Sequence, residues 1–420
     1  MSHKNSVIQL GRREFGALAA GMLAVPGSAW ARSIAGRTVF YVAVGANLVL
    51  YQVDDKGLTL TRQTVTKVPE AIQYIWRHPV KNLIYVAYSN RFSTKRDDDH
   101  GVAAYRLDPQ TGQLAAFKSP TRLANRPVNM SLDPAGQYML LAFNNPSELA
   151  IYRLAADGSI GELVKQPEPV DAGIYAHQIR VTPSGRLVVL CTRGNDPTAT
   201  THEDPGAIKV FQFKNGELRN EHSVGNGNGL GFGPRHVDFH PTRPFMYVSM
   251  ERNNQLLTYG VRNDGITPRP LFTKDTVDHP ELRAPTQYVG PIHVHPNGKY
   301  VYLANRSDGT TDFQGKQVYA GGENSVAVFA INQASGEPTL VQSIPTQTFH
   351  CRTFSIHPGG RMLVTASVAP LMVRDGAQIR TVPAGLTVFG IGDDGKLAFA
   401  RKYDVDVGDD QMFWCGMVAL

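Results

Sequence analysis

Five stretches of the chain, 131–143, 180–192, 238–250, 293–305 and 355–367, read as one phrase repeated: X-Pro, a small or polar turn, then an apolar run. With one earlier copy, the dipeptides are His78-Pro79, Asp133-Pro134, Thr182-Pro183, His240-Pro241, His295-Pro296 and His357-Pro358. Successive prolines are 55, 49, 58, 55 and 62 residues apart. A repeat of this period constrains the fold before any single side chain does. One unit cannot bury its own apolar face, so the units must stack on one another.

Within the unit at His295, a strand ends at the His, Pro296-Asn297-Gly298 turns the chain, and 300–304 forms the next strand. After a loop, 325–331 alternates as a third strand, Ala334-Ser335-Gly336-Glu337 turns, and 339–343 makes a fourth. Short β-branched and aromatic runs between Gly, Pro and Asp turns predict antiparallel hairpins. No long stretch of helical apolar spacing interrupts them. Four strands in roughly 50 residues predict an all-β chain folded as a β-propeller. Six X-Pro turns predict six blades, and the ends supply a seventh. Segments 39–44, 48–53 and 58–63 resemble strands two to four of a blade without its first strand, and 411–419 resembles that missing strand. Pairing the two ends in one blade would close the ring and remove its open edge.

A chain of 420 residues would otherwise suggest several domains. The repeat points to one propeller over 32–420, preceded by a short targeting segment. Lys4, Arg12 and Arg13 open the chain, 15–25 is apolar but too short to span a bilayer, and Ala29-Trp30-Ala31 fits a cleavage site. Arg12-Arg13 followed by Glu14-Phe15 resembles a twin-arginine export signal, with an ordinary secretory signal as the alternative. Residues 1–31 are therefore expected to be removed near Ala31, leaving a periplasmic protein that meets the twin-arginine translocase during export. Of the formal charge of +6, +2 belongs to that segment. The remaining +4 forms no basic tract, which argues against nucleic acid as a partner. Three cysteines, Cys191, Cys351 and Cys415, with no C-x-x-C pair, give neither a disulfide framework nor a structural zinc site. Cys191 sits in a strand pattern and is expected in the core.

The repeats align without gaps, and that places the candidate chemistry. Five residues before the X of each X-Pro stand Gln73, Val128, His177, Arg235, Gly290 and Arg352. Eleven residues after it stand Ser89, Asn144, Arg193, Glu251, Arg306 and Val368. The first set opens strand one and the second closes strand two, so both should ring one mouth of the central channel. Four Arg, one His and one Glu among twelve crowded positions need a reason, because buried charge is costly unless paired or used. Ion pairs stitching blades together are one such reason. A site for an anion or a developing oxyanion is the other. His177 and Glu251 are the ring's candidates for proton transfer. By strand alternation His236 should face away from the channel. His293, on a neighbouring inner strand, is a further candidate for substrate binding, and Arg193 and Arg352 are candidates for holding an anionic substituent. The histidines of the His-Pro turns lie at the other rim and are expected to be turn residues. Loops 90–101, 194–206 and 307–324 are long and should overhang the mouth. The glycine-rich run 225–231 leads into a strand and reads as a loop above it. No nucleotide, serine-hydrolase or metal motif is present, so neither a cofactor nor a metal is expected.

The phrase Gly233-Pro234-Arg235-His236-Val237-Asp238-Phe239-His240-Pro241, followed by Tyr247-Val248-Ser249-Met250-Glu251, resembles the seven-bladed propeller lactonase family, with its 6-phosphogluconolactonases and carboxymuconate-lactonizing enzymes. Supporting pieces are Ala176-His177 and Ile292-His293-Val294-His295-Pro296 through Arg306. The resemblance spans roughly 39–420. It implies a metal-free site at His177, Arg235, Arg306 and Glu251, with Arg352 touching substrate. The resulting expectation is a lactonase acting on a small acidic or sugar-derived lactone. A carboxymuconate-type cycloisomerase and a non-catalytic propeller that binds a peptide or protein are the alternatives.

Overall fold

The computed structural model describes residues 37–91, 98–278, 284 and 286–420; residues 1–31, expected to be a targeting segment, lie outside them. All regular structure among these residues is β, in seven four-stranded antiparallel sheets and two small hairpins. The sheets are numbered here as blades one to seven along the chain. Their inner strands are Ile72–Arg77, Pro127–Leu132, Ala176–Val181, Pro234–Phe239, Tyr288–Val294, Cys351–Ile356 and Met412–Ala419. Blade seven joins the two ends as expected: Met412–Ala419 is its inner strand and pairs with Thr38–Val44, then Asn47–Asp54 and Thr59–Lys67 follow. The closure leaves the ring without an open inner edge.

The core lies in the seams between blades. Between blades three and four, Val189, Cys191 and Val210 pack on Val237, Val248 and Tyr259. Cys191 is fully buried there, and all three cysteines are free thiols. Second-strand tyrosines lock one blade to the next. Tyr85, Tyr247 and Tyr302 donate their hydroxyls to the carbonyls of Gly158, Gly336 and Gly395 at 2.6, 3.0 and 2.7 Å.

The X-Pro rim repeats a second device. Nδ1 of His78 accepts the backbone N–H of Val80 and Lys81 at 3.0 and 2.9 Å, and His240 accepts those of Thr242 and Arg243 at 3.2 and 3.0 Å. Each ring then sits under the turn glycine of the following blade. A Cβ on Gly136, Gly298 or Gly360 would stand 2.5–2.6 Å from the ring of His78, His240 or His295, and all three glycines have φ near +70°. These histidines are turn residues, as the sequence implies.

Every inner strand carries a β-bulge at one level. The ladder skips Gln73, Val128, His177, Arg235, the pair Gly290-Pro291, Arg352 and Phe413. A bulge puts two residues against one and breaks the alternation of faces. This corrects the expectation for His236: it follows the bulged Arg235, lines the channel, and its ring centroid is 5.1 Å from that of His177.

Candidate active site

The second strands of blades three, four and five deliver three charged residues to one place. Arg193 and Glu251 immediately follow Leu187–Thr192 and Phe245–Met250, and Arg306 closes Tyr300–Arg306. Arg193 Nη1 donates to Glu251 Oε2 at 2.9 Å, Arg306 Nη2 donates to Oε1, and Arg235 Nε stands 2.9 Å from Oε1. The side chains of Arg235, Glu251 and Arg306 are 2–5 % exposed, so the cluster is interior. Gly290 lets it form: a Cβ there would stand 3.0 Å from Arg306 Nε.

Burial alone would raise the Glu251 carboxyl, but Arg306, Arg235 and Arg193 override it and hold the group well below the usual carboxylate range. It stays ionised and keeps its three partners fixed. Burial, and then repulsion from Arg306, push the Arg235 guanidinium down to about 9, so it remains charged at neutral pH. Burial and the neighbouring guanidinium groups, Arg235 first among them, press both His177 and His236 well below the ordinary imidazole value. Both rings are therefore neutral at pH 7. Arg235 Nη1 lies 3.2 Å from His236 Nδ1, which links the cluster to the histidine pair.

Arg352 stands at the same level on blade six. Its guanidinium carbon is 3.9 Å from the Phe413 ring centroid, and it has no ion-pair partner among the described residues. His293 is not part of this group. It lies further along the channel, with Nδ1 3.8 Å from Asp238 Oδ2. Of the remaining matched positions, Gln73 accepts a hydrogen bond from Arg126 Nε at 2.9 Å, while Ser89 is buried and bonds its own loop.

The site extends two residues beyond the aligned positions of the first strands. Two positions further upstream stand Arg126, Tyr175, Tyr288 and His350, and all four serve the mouth. Arg193 packs over Tyr175 at 4.7 Å and Arg306 over Tyr288 at 5.9 Å. His350 Nε2 faces Arg306 Nη1 at 2.8 Å, and its Nδ1 faces Asp308 Oδ2 at 2.7 Å. Arg306 can only donate, so His350 accepts at Nε2, and its Nδ1 keeps the hydrogen and directs it toward Asp308. Tyr175 and His350 are equivalent residues, and both take left-handed backbone, φ +58° and +52°.

Two of the three long loops reach the mouth. Asp196, in 194–206, binds Arg193 Nη2 at 2.7 Å and Arg252 Nε at 2.6 Å. Glu203 of the same loop takes Arg252 Nη1 at 2.5 Å and the backbone N–H of Gly231, in the glycine-rich run, at 2.8 Å. In 307–324, Asp308 supports His350, and Thr310–Phe313 with Lys316–Tyr319 forms a hairpin. A second hairpin, Leu371–Asp375 with Gln378–Val382, packs beside it through Arg374 over Phe313 at 4.4 Å; its alternation escaped the sequence reading. In the loop 90–101, residues 92–97 lie outside the described structure. Among the described residues no group of three or more His, Cys, Asp or Glu side chains is placed to hold a metal ion.

The channel beneath is a single cavity of about 530 Å³. His177, His236, Arg235 and Arg352 line one end and the X-Pro prolines the other. The arrangement combines fixed positive charge, two neutral imidazoles and enclosed space, which suits stabilisation of an oxyanion and transfer of a proton.

A protein family described as "Lactonase, 7-bladed beta-propeller" matches residues 37–369. The chain is 26% identical to a 6-phosphogluconolactonase of Bacillus subtilis over 280 residues, 65% of this chain and 72% of that protein. It is 25% identical to an Enterobacter 6-phosphogluconolactonase over 309 residues, 73% and 81% of the two chains. Among solved structures it is similar to a periplasmic gluconolactonase of Pseudomonas aeruginosa, with TM-score 0.65, 20% identity and coverage of 89% and 98%. It is similar also to a putative 6-phosphogluconolactonase of Bacteroides uniformis, with TM-score 0.68, 18% identity and coverage of 91% and 100%. At these identities the structural likenesses speak for the fold. The family match covers most of the propeller, and this chain belongs to the seven-bladed β-propeller lactonase family.

Proposed function

We propose that the protein hydrolyses a small acidic or sugar-derived lactone at the charged mouth of the channel, without a metal. The observation that carries this reading is one carboxylate, Glu251, pinned by three guanidinium groups beside the neutral pair His177 and His236. Both Glu251 oxygens are taken by guanidinium groups, whereas His177 is neutral and lines the cavity, so His177 takes the base role and Glu251 becomes a positioning residue. Water gives a proton to His177 as its oxygen bonds to the lactone carbonyl carbon. Arg235, which lines the cavity, faces the charge that develops on the carbonyl oxygen, and Arg306, held by Glu251 and His350, adds to the positive field behind it. The ring C–O bond then breaks, and its oxygen takes the proton back from the imidazolium, leaving a hydroxy acid. Arg352, with no ion-pair partner among the described residues, is available to an anionic substituent or to the product carboxylate.

Purified protein offered a panel of aldonolactones, their 6-phosphates and muconolactones should release acid from at least one. Turnover should persist after dialysis against chelator. The reading fails if no lactone is opened, or if a His177→Ala variant keeps full turnover. Isomerisation of a muconolactone without hydrolysis would point instead to a cycloisomerase. The periplasmic location rests on the export-like segment 1–31. An Arg12→Lys, Arg13→Lys chain retained in the cytoplasm supports the twin-arginine route, and normal export of that chain favours the ordinary secretory one.

A further inference from the structure

The mouth occupies one end of the cavity. Three residues further along the inner strands, roughly 10 Å at the usual strand rise, a second group of polar side chains faces the channel. The positions two before each X of the X-Pro turns hold Trp76, Ser131, Arg180, Asp238, His293 and Ser355, and all but the buried Ser131 line the cavity. Arg180 Nη2 lies 3.3 Å from Asp238 Oδ1, and Asp238 Oδ2 accepts the backbone N–H of Val294 at 2.8 Å. Those bonds tie blades three, four and five together, and stitching alone would account for them. It does not account for His293. With Nδ1 toward Asp238, the ring has its Nε2 edge for something else, and the side chain keeps 41% exposure inside the channel.

Aromatic rings complete this level. Arg180 lies over Trp76 at 5.2 Å, and the His293 ring meets Phe354 edge-on at 4.9 Å. Hydrogen-bonding groups beside the part-exposed Trp76, with Phe354 buried behind His293, match a pyranose ring, with its rim of hydroxyls and its apolar C–H faces. A lone lactone ring at the mouth does not reach this level, whereas two linked six-membered rings do. A cavity of about 530 Å³ also falls within the range that encloses ligands of that size.

Resting on the lactonase reading, we infer that the middle of the channel holds a second sugar ring. The substrate class is then a glycosyl-aldonolactone, and the lactone ring alone sits among the arginines.

The test compares kcat/KM for the lactones of 4-O-α- and 4-O-β-glucosylgluconic acid with those for gluconolactone and its 6-phosphate. At least one two-ring lactone should exceed both single-ring ones by tenfold or more, and Trp76→Ala and His293→Ala should each cut that ratio at least fivefold. A single-ring lactone turned over as well as or better than both two-ring ones overturns the inference and leaves the lactonase reading standing. Should either variant fail to fold, the wild-type ratio decides. If no lactone is opened, the lactonase reading falls, and calorimetry with the two-ring acids decides the inference. Saturable binding that His293→Ala abolishes supports it, and the absence of binding overturns it.

Discussion

Histidines stand at both ends of the channel, and the two sets do different work. At the X-Pro rim, His78, His240, His295 and His357 cap turns by accepting backbone N–H groups, and the first three sit under the next blade's glycine. At the mouth, His177 meets His236, His236 meets Arg235, and His350 meets Arg306 and Asp308, an arrangement not repeated from blade to blade among the described residues. Repetition marks the first set as part of the scaffold. Departure from the repeat marks the second as part of the site.

That contrast is open to experiment. Losing a mouth histidine should remove activity and spare the fold. A His177→Gln protein is expected to lose roughly 10²–10⁴ in kcat/KM, with thermal unfolding close to wild type. Equal losses in both measurements would erase the distinction. The carboxylate should behave differently, because Glu251→Ala leaves two buried guanidinium groups, Arg235 and Arg306, without their anion, while Arg193 keeps Asp196. We expect about 3–5 kcal/mol of unfolding free energy to be lost, read by denaturant titration, together with activity.

Acid should act through both ends at once. His78, His177, His236, His240, His350 and His357 are all held below the ordinary imidazole value, with burial as the leading cause. The unfolded chain therefore binds more protons below about pH 6.5, and their stabilising contribution, complete above that pH, is lost as pH falls toward the folded values. His78 alone, at about 4 when folded, accounts for a loss of about 3 kcal/mol by the end of that fall. Unfolding curves between pH 7 and 4 measure it, and flat stability over that range contradicts the assignment of neutral histidines. The smallest effect belongs to the rim. Gly298→Ala forces a Cβ against His240 at φ +73° and should cost about 1–3 kcal/mol, with kcat/KM unchanged. A stable Gly298→Ala protein would mean the His–Gly contact is not part of what holds the blades in register.

The sequence reading and the structure meet most closely where a residue's place follows from counting. The X-Pro spacing led to seven blades and to the closing blade made from both ends. The same count brought His177, Arg193, Arg235, Glu251 and Arg306 to one end of the channel, because equivalent positions in a circular repeat share a level. It went wrong where the count presumed regular strands. Regular alternation points His236 away from the channel, and the bulge at Arg235 turns it inward. Nothing in the residues 234–239 announces that bulge. His350 and Asp308 escaped because the count began two residues too late, although Arg126, Tyr175, Tyr288 and His350 already stood in register in the sequence.

The amino-acid order alone thus determined the number of blades, their closure, and which residues share the mouth, since stacking a fixed unit leaves few ways to bury its faces. Only the tertiary structure decided protonation and partnership. It showed Glu251 held ionised by three guanidinium groups that take both of its oxygens, and it placed His293 with Asp238 instead of with the arginines. Those outcomes depend on side-chain direction and on the field from other blades, which act through space between residues tens of positions apart, and no spacing along the chain encodes them.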